Sequence, residues 1–186
     1  MKQLMKRENE GKRIRVGVSG AGWMGSGFVT QVSRMKGMEV ILLADEDVAG
    51  ARAVLESVGV PRDNIVEAAN PSKAQDVLRR GKRVVTGSYQ LAAQCEEVDV
   101  VVDVTPSAAV GAETAWSCIQ HKKDVVLVNI EPDVTVGRIL KRLADKAGIL
   151  YTVSNADEPG CLMELWDYVT TLGLSRSRSA RARTTR

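Results

Sequence analysis

Short apolar runs alternate with longer amphipathic segments along most of the chain. The apolar runs are rich in branched residues and close on glycine, proline or an acidic residue, which is typical of buried strands. We predict strands in RIRVGVSG, MEVILLAD, KRVVTGS, EVDVVVDVTP, DVVLVNIEP and ILYTVSNADEPG. Five of the seven residues over 98–104 are apolar, so this run indicates a strand that is covered on both faces.

The segments between these runs repeat their apolar residues at helical spacing. They are WMGSGFVTQVSRM, VAGARAVLESVG, PSKAQDVLRRG, SAAVGAETAWSCIQHKKD, DVTVGRILKRLADKAG and CLMELWDYVTTLG. Ser72 and Asp133 are candidate N-caps of two of these helices, and Gly81 and Gly148 are candidate stops. Regular alternation of strand and helix predicts an α/β fold, a Rossmann-type doubly wound parallel sheet, with only the start of a second domain.

This pattern divides the chain into four segments. Residues 1–12 form a charged leader, and residues 13–156 form the predicted Rossmann domain. Residues 157–174 begin a substrate or catalytic domain. Residues 175–186, SRSRSARARTTR, form a tail that we expect to be disordered because it has almost no apolar side chains to bury.

The composition is that of an ordinary globular protein. The chain has 186 residues, of which 44% are apolar and 26% are charged, so it can build one domain with a core. The net charge of +3 comes from the tail, because removal of its five arginines leaves −2. The body therefore lacks the basic surface of a nucleic-acid-binding protein, and we expect no nucleic-acid partner.

The cysteines and the apolar runs exclude further classes. Cys95, Cys118 and Cys161 are widely spaced and contain no C-x-x-C pattern, so neither a disulfide framework nor a metal site is expected. No run is long enough to span a membrane, and the leader lacks the apolar segment of a secretory signal. We expect a cytoplasmic protein without a membrane partner.

Three glycines follow the first predicted strand in a G-x-G-x-x-G pattern: Gly20, Gly22 and Gly25. The first permits a tight turn out of the strand, the second lets a pyrophosphate approach the backbone, and the third lets the helix pack against the sheet. The next strand ends on Asp45, twenty residues after Gly25, where a carboxylate binds the ribose hydroxyls of a dinucleotide. The alternative is a glycine-rich turn that only packs a strand against a helix.

The first turn of the following helix completes this candidate site. The backbone N–H groups around Trp23 and Met24 are positioned to bind phosphates, which the helix dipole also favours. The cofactor is then NAD or NADP. A carboxylate at Asp45 repels the 2′-phosphate of NADP and favours NAD, whereas Arg52, nearby in the sequence, would attract that phosphate.

The ends of the later strands carry the remaining candidate residues, since ligands bind beyond the carboxyl ends of parallel strands. Thr105 and Pro106 are predicted to line the ribose or nicotinamide side of the cofactor, and Asn129 follows the next strand. Glu131 and Glu158 are candidate catalytic residues for proton transfer. The alternatives are that Thr105-Pro106 only ends a strand, and that the acids only stabilise helix N-termini.

Three longer segments carry a family resemblance. VGVSGAGWMGSGFVTQV, VVDVTPSAAVGAETAWSCIQHKKDVVLVNIEPDVTVGRIL and YTVSNADEPGCLMELWDYVTTLGL together resemble the homoserine dehydrogenase-like oxidoreductases, in particular the branch with a C-terminal SAF domain. The resemblance covers residues 13–174. It implies NAD(P)-dependent oxidation or reduction of a small carbonyl or hydroxy compound.

The chain departs from the family pattern in two ways. Homoserine dehydrogenases have an Asn-Lys pair after the strand that here reads VVLVN, but Asn129 is followed by Ile130, which puts homoserine chemistry in doubt. Family members are also much longer, with a substrate domain and then the SAF domain. We therefore expect a truncated form that binds the cofactor only.

The tail allows three interpretations: a basic arm for nucleic acid, a solvated end, or the product of a shifted reading frame. A permitted codon choice for residues 175–186, shifted by one base, encodes LEVAVGKGKNNP, which resembles the continuation of the family after its TTLG helix. We favour the frameshift interpretation.

The leading functional hypothesis is an NAD(P)-dependent oxidoreductase that transfers a hydride between nicotinamide and a small carbonyl or hydroxy substrate. One alternative is an enzyme similar to the deoxyxylulose-phosphate reductoisomerases of isoprenoid synthesis. Another is a non-catalytic dinucleotide-binding or regulatory module. The apolar segment CLMELWDYV is also consistent with a homo-oligomer.

Overall fold

The computed structural model describes residues 2–154 and 160–174, and the chain divides into two units after Val153. The first unit contains seven helices, counted over its described residues: α1 (Lys2–Asn9), α2 (Trp23–Arg34), α3 (Val48–Ser57), α4 (Pro71–Arg79), α5 (Leu91–Gln94), α6 (Ala108–His121) and α7 (Glu131–Ala147). Its strands are β1 (Ile14–Ser19), β2 (Met38–Ala44), β3 (Ile65–Glu67), β4 (Arg83–Thr86), β5 (Val100–Asp103), β6 (Asp124–Leu127) and β7 (Tyr151–Val153).

The strands form a single seven-stranded sheet in the order β3-β4-β2-β1-β5-β6-β7, and every pair is parallel. From β1 the chain forms one side of the sheet, with β2 next to β1, β3 at the edge and β4 between them, and it then returns to build the other side outwards from β5 to β7. The order therefore reverses between β1 and β5, which makes the carboxyl ends of these two strands the switch point of the sheet. The predicted Rossmann-type parallel sheet is confirmed.

Both faces of the sheet are buried, as the apolar strands predict. Side chains of α2 and α3, including Val29 and Leu55, form one core with Val16 and Val18 of β1. On the other face, side chains of α4 to α7 pack on Leu42, Val84, Val101, Val125 and Leu127. The sheet is thus covered by one core on each face. The loops that follow the strands meet at the carboxyl ends of the strands.

Two short elements do not follow from the periodicity. The strand β3 has three residues, and α5 has four, of which Leu91, Ala92 and Ala93 are buried. Helix α5 lies against β1 because position 17 is glycine: a Cβ there would come within 2.8 Å of the Cβ of Ala92. A tertiary contact, rather than local sequence preference, positions this helix.

The charged leader contains a helix, α1, that packs on the turn before β2. The carboxylate of Glu8 accepts a hydrogen bond from the Gly37 N–H at 2.8 Å and another from Arg13 Nε at 2.8 Å. Gly37 has a φ of +78° and lies directly against the carbonyl of Leu4, so a side chain at this position would clash. The leader is therefore part of the first unit.

Two of the predicted helix caps are wrong. Helix α4 begins after Asn70, whose side chain accepts the Lys73 N–H at 2.9 Å, because Pro71 takes the first helical position and places Ser72 inside the first turn. Asp133 is likewise inside α7, which begins at Glu131. Its carboxylate accepts the Tyr151 hydroxyl at 3.0 Å instead of capping the helix.

The second unit is described by helix α8 (Gly160–Thr171) and the residues that follow it to Leu174. Most of its large apolar side chains are exposed: Leu162, Met163, Leu165, Trp166, Tyr168, Leu172 and Leu174. The boundary predicted at residue 156, the candidate Glu158 and the tail over residues 175–186 lie outside the described residues, so these remain predictions. Over the described ranges, no helix is both long and apolar enough to cross a membrane.

Candidate functional site

The glycine loop lies at the switch point of the sheet. The Gly20 N–H donates to the Ala44 carbonyl at 2.7 Å, and the Val104 N–H donates to the Ser19 carbonyl at 2.8 Å. Gly20 has a φ of +105°, and a Cβ there would lie 3.0 Å from the carbonyl carbon of Val104 and 3.1 Å from the nitrogen of Thr105. Glycine is required here both for the backbone conformation and for the close approach of the β5–α6 loop.

The other two glycines have different surroundings. A side chain at Gly25 would overlap the Gly20 carbonyl and come within 3.1 Å of a methyl group of Val104, so glycine lets α2 pack against its own loop. A Cβ at Gly22 would meet nothing within 4 Å. Gly22 therefore keeps a space open above the loop, where a ligand phosphate can approach the backbone.

The N-terminus of α2 is suited to an anion. Gly22 is its N-cap and provides no side-chain acceptor, whereas Asp47, Asn70 and Ser107 cap α3, α4 and α6. The first turn of α2 contains no acidic residue. Because the first N–H groups of a helix have no intrahelical acceptor, this end carries partial positive charge toward the open space.

Trp23 and Met24, the first two residues of α2, are exposed by 74% and 52%. They border an open groove of about 610 Å³ along α2, whose lining also includes Phe28, Val104 and Val128. Val104 follows β5 and Val128 follows β6. The groove thus joins the glycine loop to the ends of two neighbouring strands.

Asp45 links β2 to the glycine loop. Its Oδ2 accepts the Ala21 N–H at 2.6 Å, and its Oδ1 accepts the Asp47 N–H at 2.9 Å. The carboxylate is partly exposed. Since each carboxylate oxygen has two lone pairs, Asp45 retains acceptor capacity for the hydroxyls of a ribose.

The guanidinium of Arg52 makes a hydrogen bond to the backbone. Its Nη1 donates a hydrogen bond of 2.7 Å to the carbonyl of Ile65, the first residue of β3. This hydrogen bond positions the guanidinium at the edge strand of the sheet. Asp45, by contrast, directly follows β2 and bonds to the glycine loop.

Thr105 is buried and Pro106 is exposed. The Thr105 hydroxyl donates to Oδ1 of Asp103 at 2.9 Å, and the Thr105 N–H approaches the same oxygen at 3.4 Å. The hydroxyl is therefore used inside the protein. Any contact of this loop with a ligand would be made by the backbone or by Pro106.

Asn129 joins the two loops that follow β5 and β6. Its Nδ2 donates to the Ser107 carbonyl at 3.0 Å, and its Oδ1 accepts the Glu131 N–H at 3.2 Å. It is 6% exposed. Glu131 is the first residue of α7 and has an exposed side chain.

Asp103 is a residue of this site that the sequence analysis did not single out. It ends β5, has no exposed surface, and has a pKa that burial raises from 3.8 to about 6. Among the described residues, no donor meets full hydrogen-bonding geometry with its Oδ2, although the side-chain amide of Asn129 lies near enough to lower the pKa in part. The available signal was an acidic residue at the end of an apolar strand, with a threonine two positions after it.

The structure therefore brings together the glycine loop, Asp45, the Thr105-Pro106 loop and Asn129 around the ends of β1, β2, β5 and β6. Glu131 lies at the edge of this group, next to Asn129. Over the described ranges, no group of three or more His, Cys, Asp or Glu side chains is arranged to hold a metal ion.

Solved structures with this fold include several oxidoreductases. The homoserine dehydrogenase of Thiobacillus denitrificans has a TM-score of 0.58 and 20% identity, over 76% of this chain and 29% of that one. The WlbA dehydrogenase of Bordetella pertussis, in complex with NADH and UDP-GlcNAcA, has a TM-score of 0.55 and 18% identity, over 87% and 43%. Biliverdin reductase of Synechocystis, in complex with biliverdin and NADP+, has a TM-score of 0.58 and 19% identity, over 86% and 43%.

The chain spans less than half the length of each of these proteins, and at these identities the likeness establishes a shared fold. No curated protein matches the chain. A family model does: the one described as "Homoserine dehydrogenase, NAD binding domain" matches residues 20–149, from the first glycine of the loop to the end of α7 and beyond. The chain belongs to this family of NAD-binding domains of oxidoreductases.

Proposed function

We propose that this chain binds a nicotinamide dinucleotide at the switch point, with the pyrophosphate at the N-terminus of α2. The observation that carries the proposal is the open space above Gly22, next to a helix end that has neither a side-chain cap nor an acidic first turn. The bound cofactor supplies hydride chemistry, and the protein supplies its binding and orientation.

Individual residues take separate roles in this proposal. Gly20, Gly22 and Gly25 shape the loop, and the N–H groups around Trp23 and Met24 bind phosphate. Asp45 accepts hydrogen bonds from the hydroxyls of the adenosine ribose.

NAD is the favoured cofactor. A 2′-phosphate beside the carboxylate of Asp45 would place like charges together. The hydrogen bond from Arg52 to Ile65 supports the same choice, because it holds the guanidinium that would otherwise attract this phosphate.

The nicotinamide half would extend toward Pro106 and the apolar groove beside Val104 and Val128. Asn129 holds the loop that carries Glu131, which is the candidate proton-transfer residue in the first unit. Glu158 is the second candidate. The substrate would be a small carbonyl or hydroxy compound, most of whose contacts we assign to a domain that begins at residues 157–174.

The wider setting follows from the same assignment. Residues 13–156 would form the cofactor domain of an oxidoreductase located in the cytoplasm. Buried, free Cys95 and Cys118 fit a compartment that keeps thiols reduced. Nucleic acid is not part of the proposed function, and a homo-oligomer is consistent with the exposed apolar side chains of α8.

Titration with NADH and NADPH, followed by tryptophan fluorescence, tests this proposal, since Trp23 lies in the first turn of α2. The informative variant is Gly22→Val, which adds a side chain at a position where a Cβ would meet no other part of the protein within 4 Å. We expect NADH to bind the wild-type protein and the variant to lose most of that binding. Ser33→Val, in the last turn of the same helix and outside the proposed site, is the matched control and should bind as the wild type does.

Failure of both nucleotides to bind the wild-type protein would contradict the proposal. Equal binding by Gly22→Val would place the ligand elsewhere. A non-catalytic module differs in a later step: it binds NADH, but restoring a substrate domain yields no turnover.

A further inference from the structure

Asp103 lies beneath the point where three loops of the candidate site meet. Its side chain accepts the hydroxyl and approaches the N–H of Thr105, while its carbonyl accepts the Val128 N–H at 2.8 Å and approaches the Asn129 N–H at 3.4 Å. One residue thus bonds to the loop after β5 and to the loop after β6.

A glycine makes room for this carboxylate. A Cβ at Gly111 of α6 would lie 2.7 Å from Oδ2 of Asp103 and 2.5 Å from the ring of Pro132. Helices α6 and α7 therefore close over the carboxylate, which has no access to solvent. Burial of an acid whose second oxygen lacks a well-placed donor lowers the stability of the fold. A functional role for Asp103 would explain why an acid is found at this position.

The third loop is the glycine loop itself. The backbone of Val104 and Thr105 lies within about 3 Å of the position that a Cβ would take at Gly20. A displacement of Thr105 would therefore also displace Gly20, because the two segments are packed in direct contact.

We propose that Asp103 is a positioning residue of the dinucleotide site, which fixes the β5–α6 loop through Thr105 and thereby the glycine loop against which that loop packs. The inference rests on the proposed function. Asp103 is not a catalytic residue, because a fully buried side chain cannot touch the cofactor. Its effect is transmitted by Thr105 and by the backbone at Gly20.

The first test measures NADH affinity in three variants. We expect Asp103→Ala to weaken binding about tenfold, since it removes the acceptor of Thr105. Asp103→Asn keeps an acceptor oxygen and should bind within about twofold of the wild type. Thr105→Val should weaken binding in the same direction, and combining it with Asp103→Ala should add little, because both remove one interaction.

The second test needs no ligand. Amide hydrogen exchange over residues 104–107 and 20–25 should rise in Asp103→Ala and return toward the wild-type rate in Asp103→Asn. The control is Leu78→Ala in α4, which removes a buried side chain from the core without touching these loops. It should lower stability with no selective rise in these two segments.

The outcomes separate the two proposals. If the wild-type protein binds neither NADH nor NADPH, the proposed function fails, and hydrogen exchange still decides the role of Asp103. If the wild-type protein binds NADH while Asp103→Ala binds equally well and exchanges at the wild-type rate, only the positioning role is overturned. Should Asp103→Ala fail to fold, Thr105→Val carries both measurements.

Discussion

At the scale of single residues, burial gives Asp103 an unusual proton affinity. Its pKa of about 6 exceeds the usual 3.8, so the folded protein binds this proton more tightly than the unfolded chain does. Raising the pH from about 4 to about 6 therefore favours the unfolded state through this group, by about 3 kcal/mol. The stabilising contribution of the protonated acid is present at low pH and lost above the folded-state pKa.

The first prediction compares the wild-type protein with Asp103→Asn, which cannot ionise. The free energy of unfolding of the variant relative to the wild type should rise between pH 4 and pH 7, as measured by urea denaturation. The comparison is needed because other acids act in the opposite sense: hydrogen bonding to Arg13 lowers the pKa of Glu8 to about 2. A difference that stays constant with pH would contradict the assigned ionisation of Asp103.

A second prediction concerns the carboxylate of Asp45. Asp45→Asn keeps an acceptor for the Ala21 N–H but removes the charge that would face a 2′-phosphate. The preference for NADH over NADPH should fall about tenfold, through tighter NADPH binding, because a unit charge near a phosphate is worth about 1 kcal/mol or more.

Salt offers a check on this electrostatic explanation. The wild-type preference for NADH should decrease as ionic strength rises, since salt screens partly exposed charges. In Asp45→Asn the preference should no longer depend on salt. An unchanged NADH-to-NADPH affinity ratio in Asp45→Asn would mean that shape, rather than charge, excludes the phosphate.

Among the candidate residues of the site, sequence reasoning singled out those whose proposed role is local. Gly20, Gly22 and Gly25 could be assigned because their spacing relates directly to one strand, one turn and one helix. Asp103 could not, because its importance depends on Gly111 and Asn129, which reach it only when α6 and α7 pack over β5. The local sequence around Asp103 does not show that segments distant in the chain will bury its side chain.

At the scale of elements, the same distinction separates the helices and strands. Long periodic segments such as α2 and α7 were predicted to within a few residues, because their own apolar spacing specifies the buried face. The short elements β3 and α5 were not, since three or four residues carry no periodicity. Helix α5 packs closely on Gly17, a residue more than seventy positions earlier, and such a tertiary contact is not visible in the local sequence.

The third prediction tests how closely α2 packs on its loop. Gly25→Ala should lower the free energy of unfolding by about 1–3 kcal/mol, because the added methyl group would overlap the Gly20 carbonyl. Gly22→Ala is the matched control within the same motif, and it should change stability by less than about 0.5 kcal/mol. Chemical denaturation of both variants measures the contrast, and equal effects would show that the loop accommodates the methyl group.

At the scale of the whole molecule, the candidate cofactor residues all lie in the first unit, between Gly20 and Asn129. The family match covers the same part of the chain. Dinucleotide binding is therefore expected as a property of the first unit alone. Substrate recognition is expected to depend on residues beyond Val153, which include Glu158.

The last prediction follows from linkage between binding and unfolding. A ligand that binds only the folded state at 100 times its Kd adds about 2.7 kcal/mol to the free energy of unfolding. For a chain of this size, saturating NADH should raise Tm by about 5–10 °C in a thermal shift assay. Gly22→Val should unfold near the wild-type Tm without ligand, because a Cβ there meets no other part of the protein within 4 Å, and it should show a much smaller shift with NADH, because the side chain occupies the phosphate position. A shift of equal size in both proteins would mean that NADH stabilises the molecule from another surface.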